Sequence, residues 1–469
     1  MAFSSNFFLF AFLPAVLALY YGAPSRARNA ILLVSSLLFY AFDTGYLVWL
    51  LIFSIFINYW LAHWIARATG SRRYSLLAAG IVINLAFLLH YKYTGFIWTS
   101  AEPLFATIGI QIGQPPTIEL PIGISFFTFQ AISYIADVQA GLIMPAKRLI
   151  DFGAYHSLFP QLIAGPIVRY IEIEQDLYGR KNSLTDFSDG LFRFCLGLGK
   201  KLIIADQVGN ISDRVFALPG NELSTAVAWT GALCYALQIY YDFSGYSDMA
   251  IGLGKMLGFH FPENFNQPYL SRNITEFWHR WHMTLSRWFR DYVYIPAGGN
   301  RHGAWQTYRN LFLVFFLCGL WHGAAYTFVV WGLYQGLFLA GERMYMHRFG
   351  KLPGGPLAWA ATFTVTLVGW VVFRSTTLDQ ARHILATMFG LSQPTVVYYA
   401  LPSYLTAYSL TFILIGLFFA LVPFERFSMT LGKTLPQICG RAVAALAVFA
   451  YSVILLSAHS FNPFIYFRF

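Results

Sequence analysis

Two histidines in the middle of the chain have the residue type and the surroundings that proton transfer needs. His322 is a lone imidazole in the apolar stretch 318–328, where Gly319 and Gly323 leave room for close helix packing or for a kink. An imidazole titrates near neutral pH and can act as a general base toward a hydroxyl. It can equally do no more than hydrogen-bond a neighbouring helix, and the residues alone leave both interpretations open.

The other histidine, His282, lies in a segment whose pattern predicts one amphipathic helix over residues 276–294. Its charged face holds Glu276, His279, Arg280, Arg287, Arg290 and Asp291, and its apolar face holds Trp278, Trp281, Leu285, Trp288, Phe289 and Tyr292. Such a helix lies along a membrane interface. His282 stands at the boundary of the faces, so either it belongs to a headgroup-facing surface or it points inward. A tight turn is predicted at 296–301.

Two carboxylates, Asp242 and Asp248, stand among hydroxyl and apolar side chains in the stretch 240–250. A carboxylate at membrane depth is costly, and it usually lines a cavity or pairs with a cation. One interpretation is therefore a polar lining beside a site. The other is a corner between two helices, where each Asp caps the start of a helix.

The composition identifies the kind of protein that must position these groups. Of the 469 residues, 57% are hydrophobic and 11% are charged, against about a quarter charged in an average soluble protein. A soluble globule could not bury so much apolar surface, and a disordered chain would be far more polar. The chain is predicted to be an integral membrane protein.

The charge balance and the cysteines exclude two further classes. The net charge of +10 comes from basic residues in short loops, which indicates positive-inside topology rather than nucleic-acid binding. Cys195, Cys234, Cys318 and Cys439 are scattered without a CxxC pair. They predict neither a disulfide framework nor a thiolate metal site, and we expect small buried hydrophobes instead.

Loop charges predict a side of the membrane for each connection. The apolar run 1–21 is followed by its basic residues, which predicts a first membrane helix with the N-terminus outside rather than a cleavable signal peptide. Basic inside loops follow at 67–73, 147–148, 343–351 and 425–433, although Arg374 and Arg382 fall in a predicted outside loop. At roughly twenty residues per span, we predict an all-α polytopic protein of about eleven membrane helices, some short or re-entrant. Residues 1–469 are predicted to form one domain that ends in an outside tail, 461–469.

Five segments stand out as motifs: 120–129 (LPIGISFFTF), 161–166 (QLIAGP), 242–252 (DFSGYSDMAIG), 278–301 and 320–324 (LWHGA). They resemble motifs of the membrane-bound O-acyltransferase family, in the branch that acetylates bacterial envelope polysaccharides, and the resemblance covers nearly the whole chain. The chain is similar to the membrane subunits that serve alginate and cellulose acetylation. Three positions depart from the pattern: His279 replaces Arg, Ala297 replaces Leu, and Gln335 replaces a second histidine, which argues against catalysis at position 335.

The resemblance implies the family's fold and an active centre. It makes His322 the catalytic histidine and His282 the second histidine of that centre. The implied donor is acetyl-CoA, taken from the cytoplasm as a substrate, and neither a permanently bound cofactor nor a metal is expected. Lys200, Lys201 and Lys255 are candidates for a basic inner mouth that attracts the donor's phosphates. Each can equally be an ordinary positive-inside loop residue.

The implied activity is O-acetyl transfer across the bacterial inner membrane for exopolysaccharide acetylation, of cellulose or alginate type. Peptidoglycan is the alternative acceptor. Because no large external domain is predicted, a periplasmic SGNH-hydrolase-like partner is expected to complete transfer to the sugar. A transporter is the alternative of a different class, and it should show paired repeats with interrupted helices, which the sequence lacks.

The tail 461–469 is aromatic and too short to cross the membrane again. Its composition predicts an interfacial anchor, with Arg468 at the headgroups. It also resembles a terminal Phe-Ile-Tyr-Phe-x-Phe motif of this family's systems, in which the tyrosine is implicated as an acyl carrier. The resemblance thus makes Tyr466 a third candidate catalytic residue.

Overall fold

The structure is a computed structural model that describes residues 1–392, 394–396, 400–422, 435–458 and 464. Its regular elements are helices, and no β-strand occurs among these residues, so the all-α prediction is confirmed. The α-helices are α1 (Leu13–Gly22), α2 (Arg28–Thr44), α3 (Val48–Arg67), α4 (Gly70–Leu88), α5 (Thr94–Thr107), α6 (Ile124–Ala140), α7 (Leu149–His156), α8 (Phe159–Leu162), α9 (Tyr170–Gly179), α10 (Leu184–Gly199), α11 (Asp206–Phe216), α12 (Thr225–Met256), α13 (Ile274–Arg280), α14 (Met283–Phe289), α15 (Ala304–His322), α16 (Tyr326–Phe349), α17 (Gly355–Arg374), α18 (Leu378–Met388), α19 (Ala407–Leu421) and α20 (Leu435–Ala458). Short π-helical segments at Phe8–Phe12, Leu89–Tyr93, Lys200–Ala205 and Arg290–Tyr294 join some of them.

The apolar helices make this a multi-pass membrane protein. Within the described ranges, four helical segments have the length and composition needed to cross a membrane. They are Ser25–Arg67, Gly70–Thr107, Gly355–Arg374 and Pro436–Ala458, and Phe8–Gly22 and Ala407–Leu421 are shorter apolar helices. The predicted total of about eleven spans stays a prediction, as does the single domain, since the chain divides into two compact units.

Buried polar side chains join helices in the first unit, which comprises residues 1–190 and 250–262. Ser54 Oγ on α3 lies 2.9 Å from His156 Nε2 at the end of α7. The side-chain amides of Asn58 on α3 and Asn84 on α4 exchange hydrogen bonds of 3.1 and 2.8 Å. Such bonds satisfy polar groups away from water and hold membrane helices together.

The motifs 120–129 and 161–166 meet in this same unit. A Cβ on Gly123 would lie 2.7 Å from the carbonyl oxygen of Leu162, closer than real Cβ atoms approach. Only glycine fits there, and its φ of 78° is in the left-handed region that also favours glycine. The two motifs therefore serve to pack the backbone of this unit.

Glycines bring α15 and α16 together in the second unit, which comprises residues 191–249 and 263–469. The backbone of Phe328 on α16 occupies the space that a side chain on Gly319 would need. The backbone of Phe315 on α15 does the same opposite Gly332. The predicted role of small residues in close helix packing is confirmed here, and the contact fixes the end of α15, where His322 lies.

Tryptophan rings fill the core of the second unit. The rings of Trp331 and Trp370 stack with centroids 6.0 Å apart, and Trp281 lies 4.8 Å from Trp370. Trp278 lies 5.9 Å from Trp331. Since all four are buried, the apolar side of residues 276–294 faces protein.

Two sequence predictions about local structure are wrong. α12 runs without a break through Asp242 and Asp248, so these residues do not cap helices at a corner. Cys439 is exposed on the apolar helix α20, whereas the other three cysteines are buried as expected. An apolar residue of a membrane helix can meet lipid instead of protein, so hydrophobicity alone does not predict burial in such a chain.

Candidate active site

His322 ends α15 inside a cage of aromatic rings. Its side chain is buried, and the ring centroids of Trp331 on α16 and Phe373 on α17 both lie 5.1 Å from its own. The preceding Trp321 lies 4.9 Å away. A neutral imidazole can accept a proton from a hydroxyl, which is the chemistry of a general base.

His282 lies at a break in the predicted amphipathic helix. The single helix over 276–294 is wrong: α13 ends at Arg280 and α14 begins at Met283. Between them His282 has φ 41° and ψ 53°, in the left-handed region. This backbone turns the imidazole inward, and its side chain is fully buried, so the inward alternative is confirmed. The predicted turn after the helix is present at 295–302.

A polar group that the sequence did not single out contacts His282. His282 Nδ1 lies 3.0 Å from Asn264 Oδ1. The same oxygen accepts a hydrogen bond of 2.9 Å from the Thr284 hydroxyl, and Asn264 Nδ2 donates to Ser247 Oγ on α12 at 3.1 Å. The resemblance did not include Asn264, and an asparagine in the loop sequence Pro-Glu-Asn-Phe-Asn gives no local signal of such a role.

Aromatic contacts connect the two histidines. The ring of His282 lies 5.8 Å from Trp321, and Trp321 in turn lies 4.9 Å from His322. Phe243 on α12 packs edge-on against His282 at 4.6 Å. The structure thus brings both predicted histidines into one aromatic cluster of the second unit.

Lys201 forms ion pairs with Asp242, the neighbour of Phe243 on α12, and with Asp206. Lys201 Nζ lies 2.9 Å from Asp242 and 2.7 Å from Asp206, and its side chain is 5% exposed. Because Lys201 is buried and already neutralised by two carboxylates, it is a poor candidate for binding phosphates. It is not a loop residue either, since it belongs to the π-helical segment after α10.

A neighbouring set of ion pairs is centred on Asp248. Its carboxylate lies 2.6 Å from Lys200 Nζ and 2.8 Å from Arg193, and Arg193 also pairs with Glu263. These bonds tie α10, α12 and the segment before Asn264 together. Both carboxylates of 240–250 thus pair with cations, which is one of the two arrangements usual for a carboxylate at membrane depth. Lys255 is half-buried near the end of α12, and its suggested contact with a donor stays a prediction.

Gln335 is part of the structural core. Its Oε1 accepts a hydrogen bond of 3.2 Å from Trp278 Nε1, and the side chain is buried. This contact agrees with the inference that position 335 is not catalytic. Among the described residues, no group of three or more His, Cys, Asp or Glu side chains is arranged to hold a metal ion.

The tail is represented by Phe464, because Tyr466 lies outside the described residues. Phe464 is buried, with ring centroids 4.8 Å from Tyr246 and 5.9 Å from Phe243 on α12. Phe243 in turn contacts His282. Phe464 and His282 therefore both contact Phe243 on α12.

Comparison with known proteins identifies relatives along the whole chain. The model of the membrane-bound O-acyltransferase family matches residues 83–353, which include both histidines. A probable alginate O-acetylase AlgI of Azotobacter vinelandii is 42% identical over the full length of both chains. The protein of the same name in Pseudomonas aeruginosa is 45% identical over 83% of this chain and 75% of its own. A peptidoglycan O-acetyltransferase of Helicobacter pylori is 37% identical over 84% of this chain and 80% of its own.

Proposed function

Because the chain belongs to the membrane-bound O-acyltransferase family and is an acyltransferase, we propose that it O-acetylates a bacterial exopolysaccharide. The identity of 42% over full length to a probable alginate O-acetylase carries this proposal and favours alginate over cellulose as the type of acceptor. Peptidoglycan is the second candidate, because a peptidoglycan O-acetyltransferase is 37% identical. The expectation of an acyltransferase is confirmed over the transporter alternative.

The proposed donor is acetyl-CoA from the cytoplasm. In the transfer, His322 takes the proton of an acceptor hydroxyl while the hydroxyl oxygen bonds to the thioester carbon. The carbon–sulfur bond breaks, the thiolate of CoA leaves, and the imidazolium returns the proton to that sulfur. The atoms balance as an alcohol and a thioester giving an ester and a thiol. General-base catalysis of this kind contributes about 10²–10⁴-fold.

Burial of His322 among aromatic rings supports this role. The rings of Trp321, Trp331 and Phe373 surround the imidazole and hold it at the end of α15. His282 is proposed as the second histidine of the centre, in contact with the same Trp321.

The acetyl group is proposed to leave through the tail. Tyr466 follows the buried Phe464 by two residues, and two residues of chain reach at most about 7 Å. Phe464 packs on Phe243, which contacts His282, and this contact supports the proposal that Tyr466 receives the acetyl group as a phenol ester. A periplasmic SGNH-like partner then passes it from the ester to the polysaccharide. The proposal places the protein in the bacterial inner membrane with both termini outside.

Acetyl-CoA turnover by purified protein tests the enzymatic part. Protein in lipid nanodiscs is given acetyl-CoA, and free thiol is measured for wild type, His322→Ala and His347→Ala. His347 is an exposed histidine on α16 and serves as the matched control. We expect loss of about 10²–10⁴-fold for His322→Ala alone. Equal rates in wild type and His322→Ala would show that His322 is not the base.

The acceptor is tested in cells. A strain that lacks the gene is complemented with wild type or with His322→Ala, and O-acetyl groups are quantified by NMR in purified exopolysaccharide and in peptidoglycan. The proposal expects His322-dependent acetyl groups on the exopolysaccharide. Dependence confined to peptidoglycan would decide for the second candidate.

A further inference from the structure

The hydrogen bonds of His282 assign a role to a residue that the sequence did not single out. We propose that Asn264 is a positioning residue, which fixes the proton of His282 on Nδ1 and so presents Nε2 to the site as a hydrogen-bond acceptor. The catalytic consequence rests on the proposed function. The position of the proton does not, because it can be measured without any activity.

A backbone group sets the orientation of the Asn264 amide. The Thr284 backbone N–H, which can only donate, lies 3.3 Å from Asn264 Oδ1. The Thr284 hydroxyl donates to the same oxygen at 2.9 Å. On the other side, Asn264 Nδ2 donates to Ser247 Oγ at 3.1 Å. An amide turned by half a rotation would set its NH₂ group against the Thr284 N–H, so the oxygen is assigned to this side.

The orientation of the amide decides the tautomer of the imidazole. Asn264 Oδ1 carries no proton, so His282 Nδ1 at 3.0 Å must be the donor. In a neutral imidazole the lone pair then lies on Nε2. Nε2 is buried without a hydrogen-bond partner in the described part of the chain. Because buried polar atoms are normally satisfied, this acceptor is available to an O–H or N–H group of a bound substrate.

The backbone around His282 is held in a conformation that few residues adopt. His282 and Gln267 are the non-glycine residues with positive φ in the described ranges. A strained conformation of this kind persists only where many surrounding contacts force the residue to adopt it, and such residues cluster at functional sites. The Met283 backbone N–H donates to the backbone carbonyl oxygen of Asn264 at 2.9 Å. Asn264 therefore binds the backbone next to His282 as well as the His282 imidazole.

Charged groups on the neighbouring elements are neutralised by partners of their own. Asp242 pairs with Lys201, and Asp248 pairs with Lys200 and Arg193. Glu263, the neighbour of Asn264, pairs with Arg193. On α15, the titratable neighbour is His322, which follows Trp321 in the chain. The partner of His282 Nδ1 is thus a neutral amide, which favours the neutral imidazole.

The chemical consequence is a division of labour between the two histidines. His282 accepts a hydrogen bond from a substrate group through Nε2 and thereby orients that group, and His322 removes the proton. If Nδ1 lost its partner, the imidazole could place its proton on Nε2 and repel the group that it should hold. If Nδ1 faced a carboxylate, the imidazole would hold both protons at neutral pH.

The tautomer is tested by NMR of protein labelled with ¹⁵N-histidine in nanodiscs, with His282→Gln used to assign the signal. We expect wild-type His282 to carry its proton on Nδ1, and we expect Asn264→Ala to lose this preference. A wild-type ring with its proton on Nε2, or no change in Asn264→Ala, would overturn the inference whatever the enzyme does.

The catalytic consequence is tested by the pH dependence of acetyl-CoA turnover. Asn264→Asp places a carboxylate against Nδ1, so the acidic limb of the profile should move to higher pH by about one unit or more, with activity recovered at alkaline pH. Asn266→Asp makes the same change at an exposed position two residues away, and it should not shift the acidic limb of the pH profile. Equal profiles for the two variants would refute the positioning role. If His282→Gln turns over at the wild-type rate, the proposed role of His282 itself is wrong, and the NMR result still decides the tautomer.

Discussion

The substitution Gly245→Ala adds one methyl group where α10 contacts α12, and it should disturb the candidate active site around His282. Gly245 on α12 faces Gly197 on α10, and a Cβ on Gly245 would lie 2.7 Å from the Gly197 carbonyl oxygen. The obstacle is backbone and cannot rotate away as a flexible side chain could. α12 also carries Phe243 and Ser247, which contact His282 and Asn264. Gly245→Ala is therefore expected to displace Phe243 and Ser247, and with them the side chains of His282 and Asn264.

The size of the disturbance follows from this distance. Ordinary van der Waals contact begins at 3.4 Å, so the two helices must separate by about 0.7 Å, the difference between the two distances. Overpacking of this kind costs about 1–3 kcal/mol, and the better helix propensity of alanine returns about 0.5–1 kcal/mol. A displacement approaching 1 Å near the reacting groups can cost about 10²-fold in rate, so a loss of several tens of fold is expected.

Two assays separate the effects. Thermal unfolding in detergent should show Gly245→Ala a few degrees below wild type, because about 1–2 kcal/mol of folding free energy is lost. Acetyl-CoA turnover at a temperature where both proteins are folded should fall for the variant. Gly341→Ala on α16 is the matched control, since no atom lies within 4 Å of its Cβ position. It should be as stable as wild type or slightly more so, with unchanged turnover.

The result that refutes the reasoning is equality of the two variants. If Gly245→Ala unfolds and turns over as Gly341→Ala does, then α10 and α12 are not in close contact at this point. A less stable protein with normal turnover would show instead that the contact matters for folding but does not position His282.

Two further predictions concern the buried cation and the tail. Lys201→Met removes this cation from the buried Asp242 and the half-buried Asp206, so the free energy of unfolding should fall by about 3–5 kcal/mol, measured by denaturation in detergent. Lys181→Met at an exposed position should change it by less than about 0.5 kcal/mol, and a similar small change for Lys201→Met would show that the pairs contribute little. Tyr466→Phe should abolish polysaccharide acetylation at normal protein levels, whereas Tyr451→Phe, an exposed tyrosine on α20, should not. Survival of acetylation in Tyr466→Phe would make the tail an anchor only.

Features that depend on local composition could be predicted from the sequence. The apolar runs at 46–66 and 359–373 correspond to α3 and α17, because a long apolar stretch is itself the condition for a membrane helix. The apolar and charged sides of residues 276–294 were also predictable, since periodicity records which side is buried.

Features that depend on one backbone angle or on distant partners could not be predicted. The break at His282 is invisible in the pattern, because one residue with positive φ interrupts the helix without interrupting the apolar stripe. Lys201 is followed by Asp242 only 41 positions later, and Asn264 is separated from His282 by 18 positions. No local rule connects residues so far apart, so their pairing becomes evident only in the folded chain.

The left-handed backbone of His282 carries strain that the contacts of its side chain must offset. Glycine is at ease at a φ of 41°, whereas a residue with a Cβ costs about 1–2 kcal/mol there. Replacement of His282 by glycine would therefore remove backbone strain together with the imidazole. The same change would also leave a cavity beside Phe243 and Trp321 and remove the hydrogen bond to Asn264, and these losses outweigh the strain that is relieved. The contacts of the imidazole therefore hold His282 in this backbone conformation, and the strain becomes part of the stability of the site.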